Sequence, residues 1–319
     1  MEVTENGLVT NQSEISPLVT VNILSFNRKD ELRNTLTKVY EQDYKNIEVI
    51  VVDNASSDGS PEMVINEFPT VILIRMQKNI GIAGWNEGFK IAKGEYVLVL
   101  DDDAYPDYNT IQTGIIIAKG EERIGIVAFE IFNLRYNTIE TSFITQPPKM
   151  FVGCGALISM KLLSTIGFFS ELIFIYNHEL DFTARCYNAD FKIIFAKTAI
   201  VFHLQTPTSR KIGLDNPLTS GFRYYQHFIS FSTFLIIHFD YKYVFYYHTK
   251  WIINRLIVAA KFSYIYYFLK ANHFIILNFR TTLAKRNPLR KEIQKLYEYG
   301  NHPLIDRFHF PNFKKPKFL

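Results

Sequence analysis

Three consecutive aspartates, Asp101, Asp102 and Asp103, carry the sharpest chemical signal in the sequence. They follow the apolar run 97–100, so three carboxylates stand side by side where a buried segment ends. Adjacent carboxylates repel one another unless a cation compensates them, and Mg²⁺ is commonly held by one or two carboxylates together with phosphate oxygens. We therefore favour a metal–diphosphate site over the alternative, an acidic cluster capping a helix near Asp107.

Further polar groups follow two other apolar runs in the same way. Asp53 comes after residues 47–52, while Ser25 and Asn27 come after residues 18–24. A carboxylate at the end of a strand can accept hydrogen bonds from a nucleobase or a ribose. The ordinary alternative for Asp53 is an Asx turn into the next helix, so this signal is weak on its own.

Glu179 and His203 are the remaining candidates for chemistry. Asp181 and Arg185 are four residues apart and can pair on one helix face, which leaves Glu179 as a general base for an acceptor hydroxyl. The more common role of both acids is in the first turn of a helix. His203 ends an apolar run and is more often structural, but an imidazole can complete an oxygen-rich metal site.

Alternating strands and helices must position these groups. Apolar runs predict four strands, over residues 18–24, 47–52, 71–75 and 95–100. Helical spacing predicts helices over 28–42 and 81–92, and a third that Ser60-Pro61 opens. This order is typical of a parallel, doubly wound α/β sheet, which binds ligands beyond the carboxyl ends of its strands. We therefore expect the polar groups to meet at one sheet edge.

Composition excludes several classes of protein. The 319 residues are 48% apolar and 21% charged, which can bury a core and excludes a disordered chain. Cys154 and Cys186 cannot form a disulfide framework or a four-cysteine zinc site, and we interpret them as buried thiols in a reducing compartment. The polar segment 1–16 does not resemble a signal peptide. We find no run of about 20 uninterrupted apolar residues, the length that a spanning helix needs.

The net charge of +4 hides an uneven distribution. Residues 221–319 carry 16 Lys and Arg against 4 Asp and Glu, together with more than half of the aromatic residues, whereas residues 1–220 are acidic. Interleaved basic and aromatic residues favour peripheral contact with a membrane interface. Two alternatives are a helical subdomain that packs on the catalytic unit, and nucleic-acid binding, against which the acidic first part argues. We expect no nucleic-acid partner.

Four segments of the sequence together resemble glycosyltransferase family 2, and within it the bacterial rhamnosyltransferase-like branch. They are VTVNILSFNRKDELRNTL from Val19, IEVIVVDNASSDGS from Ile47, NIGIAGWNEGFKIAKGEYVLVLDDDAYPD from Asn79, and GCGALISMKLLSTIGFFSELIFIYNHELDFTARCYNADFKIIFAKTAIVFH from Gly153. The likeness covers about residues 17–230. The motifs are specific in this order, although each alone is weak.

The resemblance implies a GT-A fold, with a mostly parallel sheet flanked by helices and a C-terminal helical extension that is aromatic and basic. It divides the chain into a polar tail (1–16), a catalytic domain (17–220) and a C-terminal region (221–319). The catalytic domain comprises a nucleotide-binding half (17–103) and an acceptor half (104–220).

The implied activity is the inverting transfer of a sugar from a nucleotide-diphosphate sugar, with Mg²⁺ or Mn²⁺ as cofactor. The implied acceptor is a hydroxyl of a glycan or of a lipid-linked acceptor in bacterial surface polysaccharide synthesis. We expect a cytoplasmic location at the inner face of the cell membrane. Two alternatives remain open. A nucleotidyltransferase would have a glycine-rich loop after the first strand, where this chain has Ser25-Phe26-Asn27-Arg28, and a catalytically silent binding module at the membrane would keep the fold.

The resemblance also assigns site residues by position. Those that fall where the family binds the nucleotide sugar are Ser25, Asn27, Asp53, Asn86, Asp101 and Asp102. Those that fall on metal-binding positions are Asp101, Asp103 and His203, with Asp103 expected nearest the ion. Glu179 falls on the general-base position.

The sequence departs from the family's usual pattern in two places near Glu179. The family usually has Glu-Asp where this chain has His178-Glu179, and Ser170 replaces a usual Asp in the stretch before it. In the loop 206–218 we expect Arg210 and Lys211 to support the leaving diphosphate.

Overall fold

The computed structural model describes residues 16–144, 147–205 and 220–297. Within these residues one sheet contains the strands β1 (Val19–Ser25), β2 (Ile47–Asp53), β3 (Ile72–Arg75), β4 (Tyr96–Asp101), β5 (Ala104–Pro106), β6 (Ile124–Asn133), β7 (Thr138–Ile139), β8 (Ala156–Ser159) and β9 (Lys192–His203). The helices are α1 (Lys29–Tyr40), α2 (Ser60–Glu67), α3 (Trp85–Ile91), α4 (Thr110–Lys119), α5 (Met160–Ile166), α6 (His178–Asn188), α7 (Gly221–His238), α8 (Tyr241–Lys261), α9 (Ile265–Ala284) and α10 (Lys291–Leu296).

The first half of the sheet is parallel, in the order β3-β2-β1-β4. The four predicted strands and the three predicted helices are confirmed within a few residues at their ends. Ser25 lies opposite Asp53, and Leu24 lies opposite Asp101. The carboxyl ends of β1, β2 and β4 are therefore level, and the polar residues that follow them share one edge.

The second half of the sheet mixes strand directions, in the order β4-β8-β6-β9-β5. Strand β8 is antiparallel to both β4 and β6, β9 is parallel to β6, and β5 is antiparallel to β9. The last pairing places His203 opposite Ala104, the residue that follows the aspartate triplet. The end of β9 thus returns to the edge that β1, β2 and β4 form.

Apolar side chains pack on both faces of the sheet. One cluster joins α1 to β1, β2 and β4, with Leu36 and Val51 among its fully buried members. The second joins α3 and α6 to β4 and β8 on the opposite face, with Trp85 and Phe182 buried in it. Helices on both faces bury the strands and leave the carboxyl-end edge to polar groups.

The C-terminal helices form a third apolar cluster that contains side chains of α6. Phe228, Phe234 and Trp251 are fully buried there together with Leu180. The expected C-terminal helical region is therefore present, and α7 packs on α6 of the catalytic part. Within the described residues, no helix is both long and apolar enough to cross a membrane.

Two predicted features lie outside the described residues. They are the polar tail, apart from Ser16, and the loop segment 206–218 with Arg210 and Lys211. The division of the chain at residue 220 into two domains stays a prediction.

Candidate active site

Ser25 and Asp53 present unpaired polar atoms at the carboxyl-end edge. Both are buried, and they lie opposite each other at the ends of β1 and β2. Asp53 Oδ2 accepts a hydrogen bond from Ser56 N at 3.0 Å. Asp53 Oδ1 and Ser25 Oγ have no hydrogen-bond partner among the described residues. Since buried polar atoms are normally paired, these two are suited to bind a ligand.

The two predicted asparagines hold backbone segments. Asn27 Oδ1 accepts from Ser57 N at 2.8 Å, which ties the loop after β1 to the loop after β2. Asn86 is buried, and its amide donates to Phe169 O at 2.9 Å and accepts from Phe169 N at 3.1 Å. Both amides therefore shape the site in this state, and direct contact of either with a nucleoside stays a prediction.

Arg28 compensates part of the negative charge of the aspartate triplet. Its Nη1 lies 2.8 Å from Asp102 Oδ1 and 3.0 Å from Asp103 Oδ1, and both carboxylates are buried. Asp102 Oδ2 also accepts from Phe26 N at 2.9 Å. Burial raises the pKa of Asp102 above its ordinary value, and the charge of Arg28 opposes that rise. The prediction of a metal beside the triplet took no account of Arg28, which supplies part of the compensating charge. Asp101, which is half-buried, is the most accessible of the three.

His203 lies between two carboxylates. Its Nδ1 is 3.1 Å from both carboxylate oxygens of Glu140, and its Nε2 is 3.4 Å from Asp103 Oδ1. Burial alone would lower the pKa of His203, but the carboxylates of Asp103 and Glu140 on either side of the ring raise it to about 10. Without a metal the ring is therefore an imidazolium at neutral pH.

A group of three ligand atoms fits a divalent cation. One ligand atom each from Asp101, Cys154 and His203 lies within 4.8 Å of the other two. Ligands about 2.0–2.3 Å from a shared ion are at most about 4.6 Å apart, so small side-chain shifts would bring these three atoms to bonding distance from one ion. The structure therefore brings Asp101 and His203 together as predicted partners and adds Cys154. Whether Asp103 is the nearest ligand stays a prediction, because here it contacts Arg28 and His203.

Glu179 lies in the first turn of α6, close to the same group. Its Oε1 accepts from Gly153 N at 3.3 Å, and its Oε2 is 3.1 Å from His178 Nδ1. A Cβ atom on residue 153 would stand 2.9 Å from His178 Nε2 and 3.2 Å from that Oε1, so a larger residue here would displace the His178 ring and crowd the Glu179 carboxylate. Burial, followed by the charges of nearby carboxylates including Asp101 and Glu179, raises the pKa of Cys154 well above its ordinary value. The Cys154 thiol therefore lies close to both Asp101 of the metal group and the proposed base Glu179.

Helix α7 supports the turn that presents Glu179. Tyr176 and Asn177 both have left-handed backbone conformations, with φ of 67° and 57°. The Tyr176 ring stacks on His227 with centroids 4.1 Å apart, and Asn177 Nδ2 donates to Ser230 Oγ at 2.7 Å. Both partners lie on α7, so the C-terminal helices hold a strained turn at the site in place.

A buried ion-pair network fixes α6 below that turn. The predicted pairing of Asp181 with Arg185 is confirmed at 2.8 Å. Asp181 Oδ1 also lies 2.7 Å from His238 Nε2, and His238 Nδ1 lies 3.1 Å from the backbone oxygen of Asn287. Asp181 is therefore paired with Arg185 and His238, whereas Glu179 lies beside Gly153, next to Cys154 of the metal group.

The sequence analysis missed the roles of Arg28, Glu140, Cys154 and His238. Arg28 follows β1 by three residues, and a cation so close to the polar edge was a usable signal. Cys154 stands between two glycines, which is a weak sign of a close approach. Glu140 is 63 residues from His203, and only the β6–β9 pairing brings the two together.

Comparison with known proteins gives a family match for the N-terminal part of the chain. Residues 20–129, which contain Ser25, Asp53 and the aspartate triplet, match the model of Glycosyl transferase family 2. Over these residues the chain has the sequence pattern of a family 2 glycosyltransferase domain. The rhamnosyltransferase-like branch stays a prediction.

The chain is also similar in sequence to two bacterial enzymes. The chain is 29% identical over 158 residues to the UDP-Glc:alpha-D-GlcNAc-diphosphoundecaprenol beta-1,3-glucosyltransferase WfaP of Escherichia coli, covering 47% of this chain and 62% of the relative. It is 30% identical over 112 residues to the poly-beta-1,6-N-acetyl-D-glucosamine synthase of Staphylococcus aureus, covering 34% of this chain and 27% of that protein. The chain thus spans less than two thirds of the length of either relative.

A solved structure supports the fold over a longer stretch. The mannosyltransferase of Pyrobaculum calidifontis in complex with GDP-Man and Mn²⁺ superposes with a TM-score of 0.57 and 20% identity, over 88% of this chain and 83% of that one. The predicted GT-A fold of this glycosyltransferase domain is confirmed.

Proposed function

We propose that the protein is an inverting glycosyltransferase that transfers a sugar from a nucleotide-diphosphate sugar to a hydroxyl of a glycan or a lipid-linked acceptor. The observation that carries this proposal is the single edge at which unpaired Ser25 Oγ and Asp53 Oδ1 accompany a metal-competent group on β4 and β9. A nucleoside and its diphosphate need these two kinds of partner side by side. The names of the two relatives support a role in surface polysaccharide synthesis.

Donor binding uses the edge of the parallel half-sheet. Ser25 Oγ and Asp53 Oδ1 are positioned to bond the nucleoside, and the Asn27 and Asn86 contacts keep the surrounding loops in place. The residues we propose to hold Mg²⁺ or Mn²⁺ are Asp101, His203 and Asp103. When bound, such a cation neutralises the charge that develops on a departing diphosphate.

Glu179 is the proposed general base. The Gly153 N–H and the strained turn before α6 hold its carboxylate in one orientation, with 15% of the side chain exposed. As the acceptor oxygen forms its bond to the anomeric carbon, Glu179 takes the hydroxyl proton. The bond from that carbon to the diphosphate oxygen breaks, and its electron pair leaves with the nucleoside diphosphate. Attack opposite the leaving group inverts the configuration.

A cavity lined by both apolar and polar side chains supports an acceptor with a hydrophobic part. The cavity has a volume of about 400 Å³ and lies between the segment before Glu179 and helices α7 and α9. Its lining includes Leu172, Phe174, Tyr225, Ile229 and Phe274. Since α7 also supports the turn at Asn177, an acceptor seated here would be held by the same helix that positions the base.

The outer face of the C-terminal helices supports contact with an anionic membrane surface. On α8, Phe245 is 78% exposed and Ile253 is 55% exposed, and on α9 Ile276 is 72% exposed. No Asp or Glu occurs between Tyr241 and Ala284, whereas α8 carries three Lys and α9 carries Lys270 and Arg280. An apolar face with flanking cations suits the lipid interface. We place the enzyme at the inner face of the cell membrane for this reason.

Vesicle flotation tests the membrane contact. The protein should float with vesicles that contain about one third anionic lipid and stay behind with neutral vesicles. The double variant Phe245→Ser and Ile253→Ser should lose flotation, whereas Ile65→Ser, another exposed apolar residue on α2, should float normally. Equal flotation of both variants would remove the membrane from the proposal.

Nucleotide release from a panel of nucleotide sugars, with and without Mn²⁺, tests the activity. A glycosyltransferase releases nucleoside diphosphate faster when an acceptor is added. A nucleotidyltransferase would instead release pyrophosphate or catalyse pyrophosphate exchange. A catalytically silent module would bind the nucleotide sugar without turnover. Glu179→Gln should retain donor binding and lose transfer to the acceptor. Full transfer by that variant would exclude Glu179 as the base.

A further inference from the structure

The thiol of Cys154 lies beside the proposed metal ligands Asp101 and His203, although the proposed function assigns it no role. Cys154 is 2% exposed and follows Gly153, whose N–H binds Glu179. Its sulfur lies in the three-atom group with ligand atoms of Asp101 and His203, all within 4.8 Å of one another. A buried thiol normally packs as a small apolar group, yet this one faces a carboxylate and an imidazole.

The orientation of His203 is a second, independent observation. Glu140 accepts at Nδ1, which is how a carboxylate fixes the ring of a metal-binding histidine and leaves Nε2 for the ion. Nε2 is buried and makes no hydrogen bond among the described residues, although Asp103 lies 3.4 Å away. Asn133 and Gln205 donate to the same Glu140 carboxylate, so its position does not depend on His203 alone.

We propose that Cys154 is a direct ligand of the cation that Asp101 and His203 hold, and that its sulfur makes the site prefer transition-metal ions over Mg²⁺. This inference deepens the proposed function, because it concerns the cation of the same site. Carboxylate oxygen alone suits Mg²⁺, whereas thiolate and imidazole ligands favour softer divalent ions. Binding replaces the S–H bond of Cys154 with a sulfur–metal bond and the Nε2–H bond of the His203 imidazolium with a nitrogen–metal bond, so two protons leave to the solvent.

Cobalt spectroscopy tests the ligand without relying on activity. Co²⁺ added to the metal-free full chain should produce a near-ultraviolet sulfur-to-cobalt charge-transfer band together with the visible bands of bound Co²⁺. Cys154→Ser should retain the visible bands and lose the charge-transfer band. Cys186→Ser is the matched control, since Cys186 is the other buried thiol of the chain and should keep both.

A competition experiment tests the preference. The ratio of Cd²⁺ to Mg²⁺ affinity should fall at least about tenfold in Cys154→Ser and stay unchanged in Cys186→Ser. If Cys154→Ser does not fold, the Cys186→Ser protein still decides the question, because any sulfur band in it belongs to Cys154.

The outcomes separate this inference from the proposed function. Bound Co²⁺ without a sulfur band in the wild type, or a band that persists in Cys154→Ser, would overturn the ligand assignment and leave the metal-dependent transferase intact. Failure of the wild type to bind Co²⁺, Cd²⁺ or Mn²⁺ in the presence of nucleoside diphosphate would overturn both.

Discussion

Glu140→Gln should weaken metal binding although Glu140 is not among the proposed ligands. In the wild type the Glu140 carboxylate accepts hydrogen bonds from His203 Nδ1 at 3.1 Å, from Gln205 Nε2 at 2.8 Å and from Asn133 Nδ2. A glutamine offers one acceptor oxygen to these three donors and turns its own NH₂ group towards one of them. The His203 ring then loses the partner that directs Nε2 to the cation.

The expected loss follows from comparable outer-shell carboxylates. Removing such a partner typically costs about 10- to 100-fold in metal affinity, which corresponds to about 1.4–2.8 kcal/mol. Titration of free Mn²⁺ by electron paramagnetic resonance measures this directly. The affinity of Glu140→Gln for Mn²⁺ should fall by that factor while its far-ultraviolet circular dichroism stays that of the wild type.

Glu121→Gln is the control for the change of charge. Glu121 is exposed and pairs with Lys192 at 2.6 Å at the start of β9, away from the carboxyl-end edge. Exposed pairs contribute about 0–1 kcal/mol to stability, and this one should leave Mn²⁺ affinity unchanged. Equal affinity of Glu140→Gln and the wild type would refute the argument that Glu140 orients His203 for a metal.

Three further changes test other contacts. Gly153→Ala should lower kcat about 10- to 100-fold with little change in the donor KM, because the new Cβ stands 2.9 Å from His178 Nε2 and 3.2 Å from Glu179 Oε1 and would displace both side chains; a normal kcat would show that the close approach of Gly153 does not position the base. Asp53→Asn should raise the donor KM about tenfold or more through loss of a charged acceptor, and an unchanged KM would remove Asp53 from the nucleoside site. Asp181→Asn should destabilise the fold by about 3–5 kcal/mol in urea unfolding at neutral pH. Burial opposes ionisation of Asp181, but Arg185 and His238 hold its pKa below the ordinary range. Its stabilising charge is therefore fully present above the unfolded pKa of about 4 and is lost as the pH falls through the folded one, so the difference between wild type and variant should shrink below about pH 4. A difference that stays constant there would contradict this.

The positions of Ser25, Asp53 and the aspartate triplet could be predicted because they depend on local patterns. Short apolar runs that end in polar residues define parallel strands, and the level ends of β1, β2 and β4 follow from that topology. The sequence therefore predicted the polar edge and the parallel half of the sheet.

The second half of the site depends on contacts that no local pattern contains. His203 reaches Ala104 only through the antiparallel β5–β9 pair, and Glu140 reaches His203 across 63 residues. The support that α7 gives to Asn177 depends on the packing of two helices from different parts of the chain. Charge repulsion predicted a cation beside the triplet, but it could not distinguish a metal from the guanidinium of Arg28.

Binding of a nucleoside diphosphate with and without Mn²⁺ tests the central claim most directly. Isothermal titration of UDP, GDP and dTDP into the wild type should give binding to at least one of them that strengthens at least about tenfold when Mn²⁺ is present. Asp101→Asn should bind the same nucleotide with equal affinity in the two conditions. Mn²⁺-independent binding to the wild type, or an undiminished effect of Mn²⁺ in Asp101→Asn, would contradict the claim that this sheet edge binds a diphosphate through a cation.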